Sequence, residues 1–149
     1  MPDLIRKRFD VGFWPANNLG GLRPLELLKD FTYPDGLTIK AGFRWNGVSF
    51  IAFRQRMLVA SCRHDFETDG IIEGVIHQGY KGVQKYLGVP FWTAYSRANK
   101  NFRHNLRVMD NQNAVFCWTF YLGVQMFTWT SIVYNVWKAK RTLKKQGVL

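Results

Sequence analysis

The feature that most restricts the fold is a long stretch, residues 111–137, without a charged side chain. It is rich in aromatic residues and is followed by a basic segment that contains Lys138, Lys140 and Arg141. A stretch of this length is enough for one helix that spans a domain or the apolar core of a bilayer. A narrow polar stripe recurs along it at spacings of three and four residues: Gln125, Thr128, Ser131 and Asn135. The pattern predicts a long apolar helix buried on most sides, in the core or at a subunit interface, with a membrane-contacting helix as the alternative.

Composition and charge narrow the class of protein. Of the 149 residues, 47% are hydrophobic and 16% aromatic, which argues against a disordered chain and is enough for one domain with a core. The formal net charge of +11 indicates a polyanionic partner, which could be nucleic acid, anionic lipid or an acidic protein surface. Two cysteines do not make a disulfide scaffold, and the basic N-terminus lacks the apolar run of a signal peptide. We therefore expect the chain to fold in a cytoplasm.

The sequence of the N-terminal third indicates β structure that follows an irregular start. Residues 1–20 carry turn chemistry and are predicted to form an N-terminal arm, with residues 21–149 as a single domain. Within residues 22–53, the turn at 34–36 separates two extended stretches, which predicts a hairpin between residues 25–33 and 37–41.

The rest of the chain has helical spacing. Residues 54–69 predict a helix that ends at Gly70, and further glycines interrupt residues 71–92. Residues 92–109 predict a second helix with an apolar face, formed by Trp92, Tyr95, Ala98, Phe102, Leu106 and Met109. Its other face is basic and consists of Arg97, Lys100, Arg103 and Arg107. The expected fold class is therefore α+β, with a small antiparallel sheet followed by a helical core and the long C-terminal helix.

The first predicted helix carries a histidine and an aspartate side by side, His64 and Asp65, after an apolar run. Adjacent residues on a helix point about 100° apart, so the two side chains flank a site rather than aim along one line. The imidazole could activate a water while the carboxylate holds a cation. The alternative is structural, with one buried histidine and one exposed aspartate.

Two resemblances follow from these residues. The stretch Ala41-Gly42-Phe43 and Asn46-Gly47-x-Ser49, followed by Arg63-His64-Asp65, resembles a phage-associated family of small domains without an assigned function. That resemblance implies a phage origin, with synthesis in the host cytoplasm and a place in the virion.

The second resemblance is to the bacterial and fungal type of secreted phospholipase A2. It rests on Asn46-Gly47-x-Ser49, on Ala60-Ser61-Cys62-Arg63-His64-Asp65-Phe66 and on Asn99-x-Asn101-Phe102. In that family, the histidine is the general base for a water, the next aspartate binds calcium with a preceding loop, and an aspartate on a second, antiparallel helix orients the histidine. The resemblance implies His64 as base and Asp65 as calcium ligand.

The departures from that family concern the two positions where it uses acids. The orienting aspartate aligns with Asn99, and an amide cannot stabilise the imidazolium that forms during the reaction. The loop aspartate aligns with Asn46, and calcium affinity follows the charge of the ligands. The cysteine that would pair with Cys62 aligns with Val48, which agrees with a reducing compartment. The resemblance therefore implies either no cofactor or weakly bound calcium, and it leaves enzymatic activity undecided.

Three functions follow, in order of preference. The first is a phage virion or assembly protein that uses a degenerate phospholipase-like scaffold to contact other subunits or the host envelope, as part of an oligomer or assembly. The second is a calcium-dependent phospholipid hydrolase with His64 as base and Asn99 as orienter. The third is a binder of nucleic acid or a host factor, which no nucleic-acid motif supports. Residues expected to contact a partner or lipid are Arg97, Lys100, Arg103, Arg107, Trp118, Trp129, Trp137, Lys138, Lys140 and Arg141.

Overall fold

The computed structural model of the chain describes residues 25–46 and 56–148, together with the backbone of residues 11–13. In these residues, short strands precede three helices. The predicted α+β class, with small antiparallel sheets followed by helices, is confirmed.

The strands form two small antiparallel sheets. They are β1 (Val11–Phe13), β2 (Leu25–Leu27), β3 (Phe31–Thr32), β4 (Thr38–Ile39) and β5 (Arg44–Trp45). One sheet has the order β1-β2-β5, and the other is the hairpin of β3 and β4. The hairpin pairs Phe31 with Ile39, which confirms the predicted pairing next to the turn at residues 34–36. The prediction is wrong for residues 25–27, which pair with β1 and β5 in the other sheet.

The predicted N-terminal arm is described only at β1. There the chain pairs with β2 as an edge strand, whereas the sequence predicted an irregular chain. The rest of residues 1–20 lies outside the described residues, as do Gly47, Val48 and Ser49 of the predicted loop.

The helices are α1 (Leu58–Leu87), α2 (Phe91–Val108) and α3 (Ala114–Lys145). The prediction that the first helix ends at Gly70 is wrong. The helix continues through Gly70 because Ile71 and Val75, one turn further along, are buried in the core. Burial of two such side chains outweighs the cost of a helical glycine, which is about 1 kcal/mol.

A sharp bend at Gly79 divides α1 into two segments. Gly79 has φ 72° and ψ 169°, a conformation that is open to glycine and strained for other residues. The second segment packs against the first at Gly74, where a Cβ atom would lie 2.8 Å from Val83 Cγ2 and 2.9 Å from Tyr86 Cδ1. Two glycines therefore set the bend and the close approach of the segments.

Helix α2 begins after Pro90, close to the predicted start, but one residue of its predicted apolar face is wrong. Trp92 is 62% exposed, while the adjacent Phe91 is buried. Phe91 instead contacts the rings of Tyr80 on α1 and Trp129 on α3. A shift of one position on a helix turns a side chain by about 100°, so only one of two neighbouring aromatic residues can enter the core.

Helix α3 contradicts the prediction of a helix buried on most sides. Only Cys117, Ile132 and Val136 of this helix are buried. One narrow side of α3 lies against α1 and α2, and much of the remainder is exposed. Among the described helices, none combines the length and the apolar character needed to pass through a bilayer.

Candidate functional site

His64 lies on the second turn of α1, between the helices. Its side chain is 7% exposed, and its ring lies 5.1 Å from the ring of Phe102 on α2. The Nε2 atom is 2.8 Å from Oδ1 of Asn99, also on α2. The structure thus brings together the two residues that the phospholipase resemblance pairs.

A second hydrogen bond sets the direction of this contact. Asn99 is fully buried, and its Nδ2 donates to Oε1 of Gln125 on α3 at 2.7 Å. The amide oxygen of Asn99 therefore faces His64 and accepts the Nε2–H, so the neutral form of the imidazole has no proton on Nδ1. His64, Asn99 and Gln125 form one chain of hydrogen bonds across all three helices.

Tyr95 forms a further hydrogen bond at Gln125, where this chain of hydrogen bonds ends. Its hydroxyl donates to the backbone carbonyl of Gln125 at 2.6 Å. That carbonyl belongs to α3 and the tyrosine to α2, so the contact holds the two helices in register beside Asn99. The sequence placed Gln125 only in a polar stripe, and its contact with Asn99 depends on the packing of α3.

Asp65 lies on the other side of the imidazole. Its Oδ1 is 3.9 Å from Nδ1 of His64, which is too far for a direct hydrogen bond. Its Oδ2 accepts the backbone N–H of Asn46 at 3.3 Å, at the end of β5. The two residues therefore flank a position beside Nδ1, and Asn46 approaches through its backbone.

The described residues at this position supply one carboxylate, that of Asp65, toward a calcium site. Calcium takes about six to eight oxygen ligands, whereas the Asn46 backbone presents an N–H to Asp65. Within residues 25–46 and 56–148, no group of three or more His, Cys, Asp or Glu side chains is placed to hold a metal ion. Calcium binding by Asp65 and Asn46 stays a prediction.

Arg63, next to His64, connects α1 to the hairpin. Its guanidinium donates to both carboxylate oxygens of Asp35, at 2.8 and 2.6 Å. This pairing lowers the pKa of Asp35. Its Nε also donates to Oε1 of Glu67 at 3.2 Å. The arginine that precedes the histidine therefore serves an ion-pair network and is itself buried.

The side chain of Glu67, one turn along α1 from Arg63, is largely buried. Asn101 of α2 donates to its Oε1 at 2.8 Å, while Oε2 is buried and has no hydrogen-bond partner. Burial raises the pKa of this carboxyl despite the nearby Arg63. A cleft of 230 Å³ between α1 and α2 is lined by Glu67, by Arg97 and otherwise by apolar residues, but not by His64.

Two side chains from the sheets fix the start of α1. The Tyr33 hydroxyl donates to the backbone carbonyl of Val59 at 2.7 Å. The Trp45 indole N–H donates to the hydroxyl of Ser61 at 3.1 Å. Residues in and next to the strands therefore position the first turn of α1, which precedes the turn that carries His64.

The predicted contact residues fall into two groups. The first group consists of the basic face of α2 and the neighbouring Trp118 of α3. The Arg103 guanidinium lies 4.0 Å above the Trp118 ring, which is a cation–π contact between the two helices. The exposed members of the α2 basic face are Arg97, Lys100 and Arg107. The second group lies on the last part of α3 and consists of Trp137, Lys138, Lys140 and Arg141, all exposed.

Trp129 belongs to neither group. It lies in an aromatic cluster with Trp92, whose ring centroid is 5.1 Å away, and with Phe91. Its partial burial comes from these contacts.

Comparison of the chain with protein-family models, curated proteins and solved structures finds no match.

Proposed function

We propose that this protein is a contact-making component of a phage particle, built on a phospholipase-like helix pair, and that it has no hydrolytic activity of its own. The observation that carries this proposal is the fully buried amide of Asn99, which bonds His64 on one side and Gln125 on the other. A group bonded on both sides in this way connects three helices. His64 then serves to hold the core together.

The chemistry of the amide supports this assignment. A histidine that takes a proton from water becomes an imidazolium, which a neighbouring carboxylate stabilises and a neutral amide does not. The groups beside Asp65 add little stabilisation of the charge that develops in the reaction, because a calcium ion there would be bound by a single carboxylate. Asn99 and Asn46 stand where the phospholipase family has aspartates. Both replacements weaken catalysis, but they leave the packing of the helix pair intact.

The phage assignment comes from the resemblance carried by the Ala41-Gly42-Phe43 segment, the Asn46-Gly47-x-Ser49 loop and the His-Asp helix. In this proposal the chain is made in the host cytoplasm and then enters the virion, where it contacts other subunits or the host envelope. The exposed surface of α3 supports a role in contact, because large apolar exposures mark interaction sites.

Hydrolysis of phospholipid vesicles in the presence of calcium tests the proposal. We expect no release of fatty acid above background from wild type, His64→Ala or Asn99→Asp. His64→Ala should still lower the melting temperature, because it leaves the Asn99 amide oxygen buried without its donor. Fatty acid released by wild type and lost in His64→Ala would overturn the proposal.

A second candidate function, phospholipid hydrolysis, is favoured by one observation. The hydrogen bonds from Gln125 through Asn99 select the neutral tautomer of His64 that has a free Nδ1, on the side where Asp65 lies 3.9 Å away. A water beside Nδ1 could give its proton to the imidazole, which is general base catalysis. The same assay separates the candidates: activity that appears only in Asn99→Asp would indicate a degenerate site on an enzyme fold.

A further inference from the structure

One side of α3 exposes a continuous set of apolar side chains, here named the apolar face. Its members are between 40% and 77% exposed, and they are Val115, Leu122, Met126, Phe127, Val133, Tyr134 and Trp137. The stretch of α3 from Val115 to Trp137 contains no charged residue. Scattered single apolar residues are normal on a protein surface, but a contiguous set along most of a long helix marks an interaction site.

The polar residues within the apolar face have their hydrogen bonds inside the helix. The Thr119 hydroxyl donates to the Val115 carbonyl at 2.8 Å, and the Thr130 hydroxyl donates to the Phe127 carbonyl at 2.7 Å. Burial of a polar group is costly when it loses its partner. These hydroxyls keep theirs, so the face can enter an apolar medium without that cost.

A cluster of basic residues continues the apolar face at the end of α3. With 3.6 residues per turn, eighteen residues make five full turns. Lys140 therefore lies in line with Leu122, and Lys144 lies in line with Met126. Both lysines are exposed. The same side of one helix thus presents apolar groups along its length and cations at its C-terminal end.

An exposed aromatic side chain of α2 lies next to α3. The ring of Trp92, which is 62% exposed, lies 5.1 Å from the ring of Trp129 on α3. Tryptophan is favoured at the boundary between water and lipid, where its ring meets both apolar chains and polar head groups.

We infer that the apolar face docks onto the surface of an anionic lipid bilayer, with α3 parallel to the surface and Lys140 and Lys144 among the head groups. This inference deepens the proposed function, because it names the partner that the contact-making chain meets. The net charge favours lipid over a second copy of the chain, because a second copy would bring another +11 charge against the first. Anionic lipid complements both the lysines and the apolar side chains.

Binding to vesicles tests the inference with the full chain. We expect it to sediment with vesicles of mixed phosphatidylcholine and phosphatidylglycerol and to remain in solution with phosphatidylcholine alone. Met126→Glu should weaken binding about tenfold or more, because it puts a charge in the centre of the apolar face. The double change Lys140→Ala/Lys144→Ala should weaken it about 25-fold, since each cation near such a surface contributes about a factor of five.

Matched variants separate docking from general charge effects. Leu28→Glu makes the same kind of change at an exposed leucine beside β2, and Lys29→Ala/Lys40→Ala removes the same charge as the double change on α3. Both should bind as wild type does. Equal binding by Met126→Glu and wild type, or wild-type binding to phosphatidylcholine alone, would overturn the inference.

The state of the protein in solution provides a further check. Dimers that Met126→Glu dissociates, without any binding to vesicles, would assign the face to a second copy and overturn the lipid assignment. Hydrolysis measured on the same vesicles reports on His64 independently. Fatty-acid release with normal sedimentation would thus reject the proposed function and leave the docking surface intact.

Discussion

The side chain of Asp110 caps the first turn of α1, although 50 residues separate it from Ala60. Its Oδ2 accepts the Ala60 N–H at 2.8 Å, and its Oδ1 accepts the Val59 N–H at 3.2 Å. Asp110 is fully buried. The first N–H groups of a helix lack partners within it and carry the positive end of its dipole, so a carboxylate there is stabilising. The end of α2 thereby fixes the start of the helix that carries His64.

Asp110→Asn should reduce the free energy of unfolding by about 1–3 kcal/mol, because an amide has one accepting oxygen and leaves a buried N–H without a partner. Urea unfolding followed by circular dichroism measures the loss. Asp30→Asn is the matched control, since Asp30 forms an exposed ion pair with Lys40 and should change stability far less. Equal losses in the two variants would contradict the role of Asp110 as a cap.

Gly79→Ala should destabilise the protein by about 1–3 kcal/mol, because the backbone at the bend lies in a region that strains residues with a Cβ atom. The open space around the residue means that backbone strain, rather than a clash, causes the loss. Thermal unfolding measures it.

Gly70→Ala is the control with the opposite sign. Gly70 is helical and also has open space where a Cβ would lie, so alanine should stabilise the chain by about 0.5–1 kcal/mol. A stabilising effect at both positions would be incompatible with the bend at Gly79.

The stability of the protein should depend on the ionisation of Glu67. Burial raises the pKa of this carboxyl above its ordinary value of 4.5, so between those two values the folded state binds more protons than the unfolded state. Stability from this group therefore falls as pH rises from about 4.5 through the raised pKa. Glu67→Gln should remove that decline, which melting temperatures measured across this pH range would show.

Asp35 should act in the opposite direction. The hydrogen bonds from Arg63 hold its pKa below the ordinary value of 3.8, so its contribution is present above that value and is lost as pH falls through the lowered pKa. The effect should be small because Asp35 is half exposed. Asp35→Asn should flatten the acid side of the stability curve and leave the Glu67 region unchanged.

Both cysteines should be unreactive in the folded protein. Cys62 and Cys117 are buried free thiols, and burial raises the pKa of each. The thiolate is the reactive species, so a thiol reagent should label neither residue under native conditions and both in denaturant. Rapid native labelling of Cys62 would show that the start of α1 opens readily.

Local patterns in the sequence predicted the elements that depend on near neighbours. The turn at residues 34–36 predicted a hairpin, in which the structure pairs Phe31 with Ile39. The spacing of apolar residues predicted α2 within about one residue at each end. Turn chemistry and helical periodicity act over a few residues, so they can be read without a tertiary structure.

The errors arose where distant packing outweighs local preference. Gly70 carries the chemistry of a helix stop, yet burial of Ile71 and Val75 extends α1 until the bend at Gly79. The absence of charge in residues 111–137 predicted burial, yet most of α3 is exposed. Composition alone does not show whether an apolar side chain is buried in the core of its own chain or exposed on the surface.

At the site, the sequence by itself determined which groups are present: a histidine beside an aspartate, and an asparagine at the aligned position of the second helix. Only the tertiary structure decided their relationship. It joined His64 to Asn99, added Gln125 from α3 and brought Asp110 to the start of α1. Hydrogen bonds require atoms within about 3 Å in a set direction, and for residues this far apart in the chain that geometry exists only once the helices have packed.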